Sequence, residues 1–264
     1  MAIYHFSVKN VSRNHTKTKK EKEKEKNGEP VKEKPPRSII AAAAYRAGEK
    51  LIDEVSGKVY DYTRKTGIFH TEIIAPDDAP FWCRDRSTLW NTVEQENWRK
   101  NARFAKDITI ALPKELSDES KLALVREFVT SEFMQRFNLV ADVCFHKLDS
   151  NNPHVHILIP IRVAEEEGFG DRVKAIEARK TVYELRIAWA AHCNRYLANA
   201  GIRERIDHRS LKEQGIEREP QIDIGAAAWA LEKRGVRTEL GDKLREIEAL
   251  NREREQTQEY IERE

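Results

Sequence analysis

Apolar and polar residues alternate at the start of the chain, where Tyr4, Phe6 and Val8 fall on one side of an extended segment and His5 and Ser7 on the other. A period of two sends successive side chains to opposite faces, so residues 3–8 predict a half-buried β-strand. The period changes after Ser38, a good N-cap. Residues 39–51 are mostly Ala and strong apolar residues around Tyr45, and they predict a helix. A second helix is predicted over 84–105, where Trp90, Val93 and Trp98 are interleaved with charges. Residues 107–112 read as a strand stopped by Pro113, and Ser117 opens an amphipathic helix running to about 137. Two further strands, 141–147 and 154–163, flank Leu148-Asp149-Ser150-Asn151-Asn152-Pro153, a composition that turns the chain into a hairpin. A charged loop at 165–180 then leads to a helix over 181–200 that ends at Gly201. This order predicts a two-layer α+β domain: a central antiparallel sheet with helices on one face and a site on the other.

Two segments break the pattern. Residues 12–36 are almost devoid of apolar side chains and include an alternating Lys/Glu run, so burial cannot offset their ordering entropy, and a mobile insertion is expected. From about residue 225 the chain turns helical and then almost wholly charged, like the stem of something longer. The expected organisation is therefore a domain over 1–224 followed by a charged helical extension over 225–264. With 47 basic and 45 acidic residues the net charge is +2, so any polyanion-binding character depends on how the charges are distributed. Cys83, Cys144 and Cys193 lie too far apart for a disulfide framework or a cysteine-rich zinc site. No apolar run reaches the roughly 18 residues of a membrane span and no secretory signal opens the chain, which points to a cytoplasmic protein.

The strongest chemical signal is His154-Val155-His156 with His146 upstream. Side chains two apart on a strand share a face, and a hairpin brings His146 to the same side if Val143, Phe145, Val155 and Ile157 face the helices. Three converging neutral imidazoles suit a divalent ion with open coordination positions, as in a catalytic site. His5 could line the same face, although a surface role suits it better, and His70, His192 and His208 have structural readings. Asp107 opens its strand and could bond a ligand histidine or the tyrosine. On the predicted helix, Tyr45 has Ala41, Ala42, Gly48 and Glu49 three and four residues away, small neighbours that clear space around the phenol, with Arg46 and Lys50 near enough to meet phosphate.

Several segments together resemble the MobA/MobL relaxases: Met1-Ala2-Ile3-Tyr4-His5-Phe6, Ala41-Ala42-Ala43-Ala44-Tyr45-Arg46-Ala47-Gly48, Ile110-Ala111-Leu112-Pro113-Lys114-Glu115-Leu116, Asn152-Pro153-His154-Val155-His156, and Arg205-Ile206-Asp207-His208-Arg209-Ser210-Leu211 with Gln214-Gly215-Ile216. They occur in the family's order over residues 1–220. The resemblance implies a His-hydrophobe-His endonuclease fold, a nickase and strand transferase acting at a plasmid transfer origin. It also implies Tyr45 as nucleophile forming a 5′-phosphotyrosyl linkage, and His146, His154 and His156 as ligands of one divalent ion, Mg or Mn or another transition metal. Single-stranded DNA, relaxosome accessory proteins and a coupling protein are the implied partners, with a helicase or primase region following the chain. The family's acidic residue before the Ala-Leu-Pro strand has no obvious Glu here, and Asp107 is the nearest substitute. A rolling-circle replication initiator would use the same chemistry and lacks mainly the 205–216 motif, while a non-catalytic single-stranded-DNA-binding module is the reading if no metal binds. A histidine-triad hydrolase would need a third alternating His where Leu158 stands.

Overall fold

The computed structural model describes residues 4–14, 19–30 and 35–261, and the chain divides into two compact units, Met1–Ile206 and Asp207–Glu264. In order the elements are β1 (Phe6–Ser12), α1 (Lys19–Lys26), α2 (Ile39–Ala47), β2 (Lys50–Ile52), β3 (Val59–Asp61), β4 (Ile68–Ile74), α3 (Arg86–Glu96), β5 (Arg103–Ala111), α4 (Asp118–Val129), β6 (Ala141–His146), β7 (His154–Pro160), β8 (Arg162–Glu165), β9 (Gly168–Arg172), α5 (Arg179–Asn199), α6 (Gly225–Glu232) and α7 (Glu239–Ile261). Among the described residues, no helix is long and apolar enough to cross a membrane, and the three cysteines are free and buried.

The predicted α+β class holds, with one five-stranded antiparallel sheet in the order β1-β5-β7-β6-β4. Alternation decides its two faces. Phe6, Ile108, Ile110, Val143, Phe145, Val155, Ile157 and Ile159 point to one side, where α4, the π turn that follows it, and α5 cover them with Phe128, Phe133 and Trp189. Phe128 stacks edge-on against both Phe6 and Trp189, the preferred contact of two ring quadrupoles.

The second face is less open than the sequence suggests. Ile39, Ile40, Ala43 and Ala44 of α2 and Leu89, Trp90 and Val93 of α3 form another buried cluster against Val11, Phe104 and Leu158. Helix α3 is fixed there by a buried ion pair, Arg86 donating to both carboxylate oxygens of Asp142 at 2.9–3.1 Å, while the Trp90 indole donates to Asp142 at 2.8 Å. The histidines lie outside this cluster, at the end of the sheet near the β6–β7 turn.

Several local expectations change for identifiable reasons. Helix α2 ends at Ala47, since Gly48 takes the left-handed conformation (φ 66°) and caps it; the chain then runs into the β2–β3 hairpin instead of continuing to 51. The helix expected over 84–105 is confined to Arg86–Glu96, because Arg103 and Ala105 are claimed by strand pairing with β1 and β7. The strand expected over 154–163 ends at Pro160, and the β8–β9 hairpin spans 162–172, so only its second strand falls within the expected loop at 165–180. Within the expected mobile insertion, Lys19–Lys26 is helical: its Lys and Glu residues are strong helix formers with opposite charges three apart, and none of residues 21–26 is buried. The remainder of that Lys/Glu segment lies partly outside the described residues.

In the second unit α6 is mostly Ala and apolar residues, and α7 carries the charged sequence. Asn251 is buried and closes a two-way amide pair with the Glu219 backbone at 2.8 and 2.9 Å, while Glu232 receives Thr238 and Arg245. The division at Ile206/Asp207 falls earlier than the change of composition near 225.

A Cβ at residue 48 would sit at positive φ and come within 2.1 Å of Ile68 Cδ1. Gly48→Ala should therefore cost roughly 1–2 kcal/mol, seen as a lower urea midpoint with an unchanged slope. An unchanged midpoint would show that the α2 boundary is not held by this glycine.

Candidate metal centre and nucleophile

The antiparallel register builds the centre. His146 of β6 stands directly opposite His154 of β7, and Cys144 opposite His156, so all three histidines project from the second face. Their ligand atoms lie within 4.8 Å of one another, and the ring centroids are 4.9–5.4 Å apart. It is the one group of this kind among the described residues.

Each imidazole is held by its other nitrogen. His146 Nε2 lies 2.7 Å from the Arg46 carbonyl and His154 Nδ1 lies 2.8 Å from the Asn152 carbonyl. A carbonyl only accepts, so both nitrogens donate and the opposite ring nitrogen is left with its lone pair. His156 Nδ1 is 3.1 Å from Thr109 Oγ1, the residue across the ladder on β5, and 3.9 Å from Asp107 Oδ1. Imidazoles anchored in this way are oriented as metal ligands commonly are, which is the fit that the donor set itself supplies.

Electrostatics favour the neutral, ligating form. Burial pushes His146 down to about 4 against the raising effect of its bond to Arg46, and Lys65 and the other two histidines add to the fall. Burial likewise lowers His154. Asp107 lies behind His156: burial pushes its pKa up, yet the nearby His156 ring and the two bonds from Arg46 outweigh that and hold it at about 2. Arg46 grips this carboxylate with two bonds, 3.1 Å from Nε and 2.6 Å from Nη2, and also donates to the Ala42 carbonyl. The guanidinium expected to meet phosphate is thus already engaged.

Helix α2 joins these groups to Tyr45. Ser38 caps its first turn, Arg46 supplies the carbonyl for His146 and the guanidinium for Asp107, and Tyr45 precedes Arg46 with 52% of its surface exposed. The phenol ring stacks edge-on against Tyr62 (5.3 Å, 87°), and the Lys65 ammonium stands 3.8 Å from its centre. Clearance around the ring comes from its outward position, not from Gly48, which is past the helix end. Thr109, Tyr62 and Lys65 went unremarked in the sequence. They sit on another strand or in a turn, where no periodic signal marks them.

The other histidines among the described residues lie apart. His70 packs on Phe145 and lies 3.6 Å from Glu72, His192 packs on Phe128 beside Glu127, and His208 neighbours Asp207 in the second unit; His5 is exposed.

Comparison with known proteins adds three findings. A family model described as the MobA/MobL family matches residues 37–234. "Conjugal transfer protein TraA" of Rhizobium radiobacter is 37% identical over 91% of this chain, which spans 23% of that relative's length, and "Mobilization protein MobL" of Acidithiobacillus ferridurans is 32% identical over 89% of the chain and 65% of the relative. Among solved structures, the one described as "Molecular Basis of Vancomycin Resistance Transfer in Staphylococcus aureus" superposes with a TM-score of 0.66 at 27% identity, covering 79% of this chain and 100% of that one.

In the metal-free protein His146 should titrate near 4 and stay neutral at pH 7. The unfolded chain takes up this proton near 6.5, so its contribution to stability is complete above that pH and lost as pH falls through 4. Two-dimensional NMR of the imidazole resonances reads this directly; a His146 midpoint at 6 or above would contradict the buried, carbonyl-bonded arrangement.

Proposed function

The chain belongs to the MobA/MobL family, and from that premise we propose that it is a conjugative relaxase that nicks one DNA strand at a plasmid transfer origin and rejoins it after transfer. The observation that carries the reading is the cluster of His146, His154 and His156, linked through Arg46 to the helix bearing an exposed Tyr45. Relatives with conjugal transfer and mobilization in their names support the same reading.

His146 through Nδ1, His154 through Nε2 and His156 through Nε2 would hold one divalent ion. When bound, that ion supplies Lewis-acid neutralisation of the charge that builds on the scissile phosphate. Thr109 bonds His156 Nδ1, and Asp107, ionised and held by Arg46 3.9 Å away, favours a proton on that nitrogen, which leaves Nε2 free. Tyr45 loses its phenol proton to solvent, to which it is open, and its oxygen attacks phosphorus in line. A Tyr–O–P bond forms at the 5′ side, the P–O3′ bond breaks, and the departing oxygen takes a proton to become a free 3′-hydroxyl. One phosphodiester replaces another, so little bond energy is lost and the same groups can run the reaction backwards to reseal the strand. Single-stranded DNA suits the uncovered end of the sheet, where a splayed strand can reach both the histidines and Tyr45.

Tyr45→Phe deletes one exposed oxygen and leaves the ring contacts. It should fold, bind metal and bind single-stranded oligonucleotide, yet form no covalent adduct on a denaturing gel with an oligonucleotide from the protein's own transfer origin. Phe variants of Tyr60 and Tyr183 should still form it. An adduct from the Tyr45 variant would place the nucleophile elsewhere, and cutting by the unaltered protein without any adduct would make it a hydrolytic nuclease. A second outcome concerns the ligands: His154→Ala should weaken binding of Mn by at least about tenfold in calorimetry, and unchanged affinity would remove His154 from the centre.

A further inference from the structure

Lys65 stands against the candidate nucleophile without belonging to any group used above. One of its three N–H donors is spent on the Tyr45 carbonyl at 2.6 Å, and its ammonium lies over the Tyr45 ring. The side chain is half-buried, yet no carboxylate among the described residues pairs with it. Burial lowers its pKa, and Arg46 and Lys147 add to that effect. A partly desolvated cation lacking a counterion is held at a cost, which an incoming anion would remove.

The backbone places it deliberately. Lys65 lies in the turn between β3 and β4, closed by its own N–H on the Tyr62 carbonyl at 2.9 Å. One end of the turn is bonded to the exit of α2, Tyr62 N–H to the Glu49 carbonyl at 3.1 Å. The other is bonded to the end of β6, Lys147 N–H to the Gly67 carbonyl at 2.8 Å, one residue beyond His146. The two elements that hold this turn therefore carry Tyr45 and the first histidine. Arg46 is close by but neutralised by Asp107, and Glu49 is occupied by Arg86. Lys65 is the cation in contact with the Tyr45 ring.

We propose that Lys65 is a phosphate-binding residue: its free N–H donors take a non-bridging oxygen of the scissile phosphodiester and hold the phosphorus against Tyr45 for in-line attack. The proposal rests on Tyr45 being the nucleophile. Lys65 stays protonated throughout, and no bond to it forms or breaks.

The test is a binding cycle that needs no cleavage. A single-stranded oligonucleotide from the transfer origin, its nick position mapped with the unaltered protein, is compared with one carrying a neutral methylphosphonate at that linkage. Both are titrated in the Tyr45→Phe background with Lys65, Lys65→Met or Lys65→Arg, over a range of salt. One lost phosphate contact on a single strand makes the slope of log K against log salt shallower by about 0.7. Lys65→Met should show that loss on the charged oligonucleotide and no further loss on the methylphosphonate, whereas Lys65→Arg should keep most of it. Lys58→Met, which removes the comparable cation from the Tyr60 ring (5.0 Å), should change nothing. In the Tyr45 protein, Lys65→Met should slow adduct formation by about tenfold or more, with most of the rate restored by Lys65→Arg. Equal slopes for Lys65 and Lys65→Met would overturn the proposal, as would additive losses from the variant and the methylphosphonate, which would put Lys65 on another phosphate. If Lys65→Met proves unfolded by circular dichroism, the methylphosphonate effect in the Lys65→Arg protein decides: no slope change there also overturns it. Failure of the relaxase reading shows separately, as a Tyr45→Phe protein that still forms the adduct.

Discussion

The register between β6 and β7 is the constraint on which the site depends. Because His146 pairs with His154 and Cys144 with His156, the three imidazoles share a face while Val143, Phe145, Val155 and Ile157 share the other. A one-residue slip of β7 would turn His154 and His156 toward α4 and α5 and carry Val155, Ile157 and Ile159 away from them. Each such residue stabilises the fold by about 1.5–3 kcal/mol when buried, so the core fixes the register far more strongly than the histidines could. The chemistry is positioned by residues that take no part in it.

A second dependence runs through α2. This short helix covers part of the second face with Ile39, Ile40, Ala43 and Ala44, and its last turn reaches into the site through Arg46. The Arg46 carbonyl orients His146, and its guanidinium holds Asp107 ionised beside His156. Tyr45 is the preceding residue. Any shift of the helix would thus move the phenol, one histidine and the carboxylate together, which explains why its end is closed by a left-handed glycine and not left to fray. Arg46 is paired with Asp107, and Lys65 is the cation that meets the Tyr45 ring.

Much of this could be read along the chain. Alternation at 141–147 and 154–163 identified the hairpin, its parity and the shared face of His146, His154 and His156, because a strand's period of two is a local property. Ser38, Ser117 and Gly201 marked helix ends through their own capping chemistry. Asp107 was singled out from its place at a strand, and the structure sets it beside His156.

Tertiary contacts decided the rest. Residues 49–51 look helical beside the alanines of α2, but Gly48 adopts positive φ and Leu51 pairs with Tyr60, a contact no local pattern announces. Residues 97–105 follow a helical pattern, yet strand partners far along the chain capture Arg103 and Ala105. Lys65, Thr109 and Tyr62 join the site from a turn and from another strand, and nothing in their neighbours marks them. The sequence determined which way each side chain would point within its own element, since that follows from backbone periodicity. Which elements would meet, and so which charges would face Tyr45, was decided only by burial and pairing between residues distant along the chain.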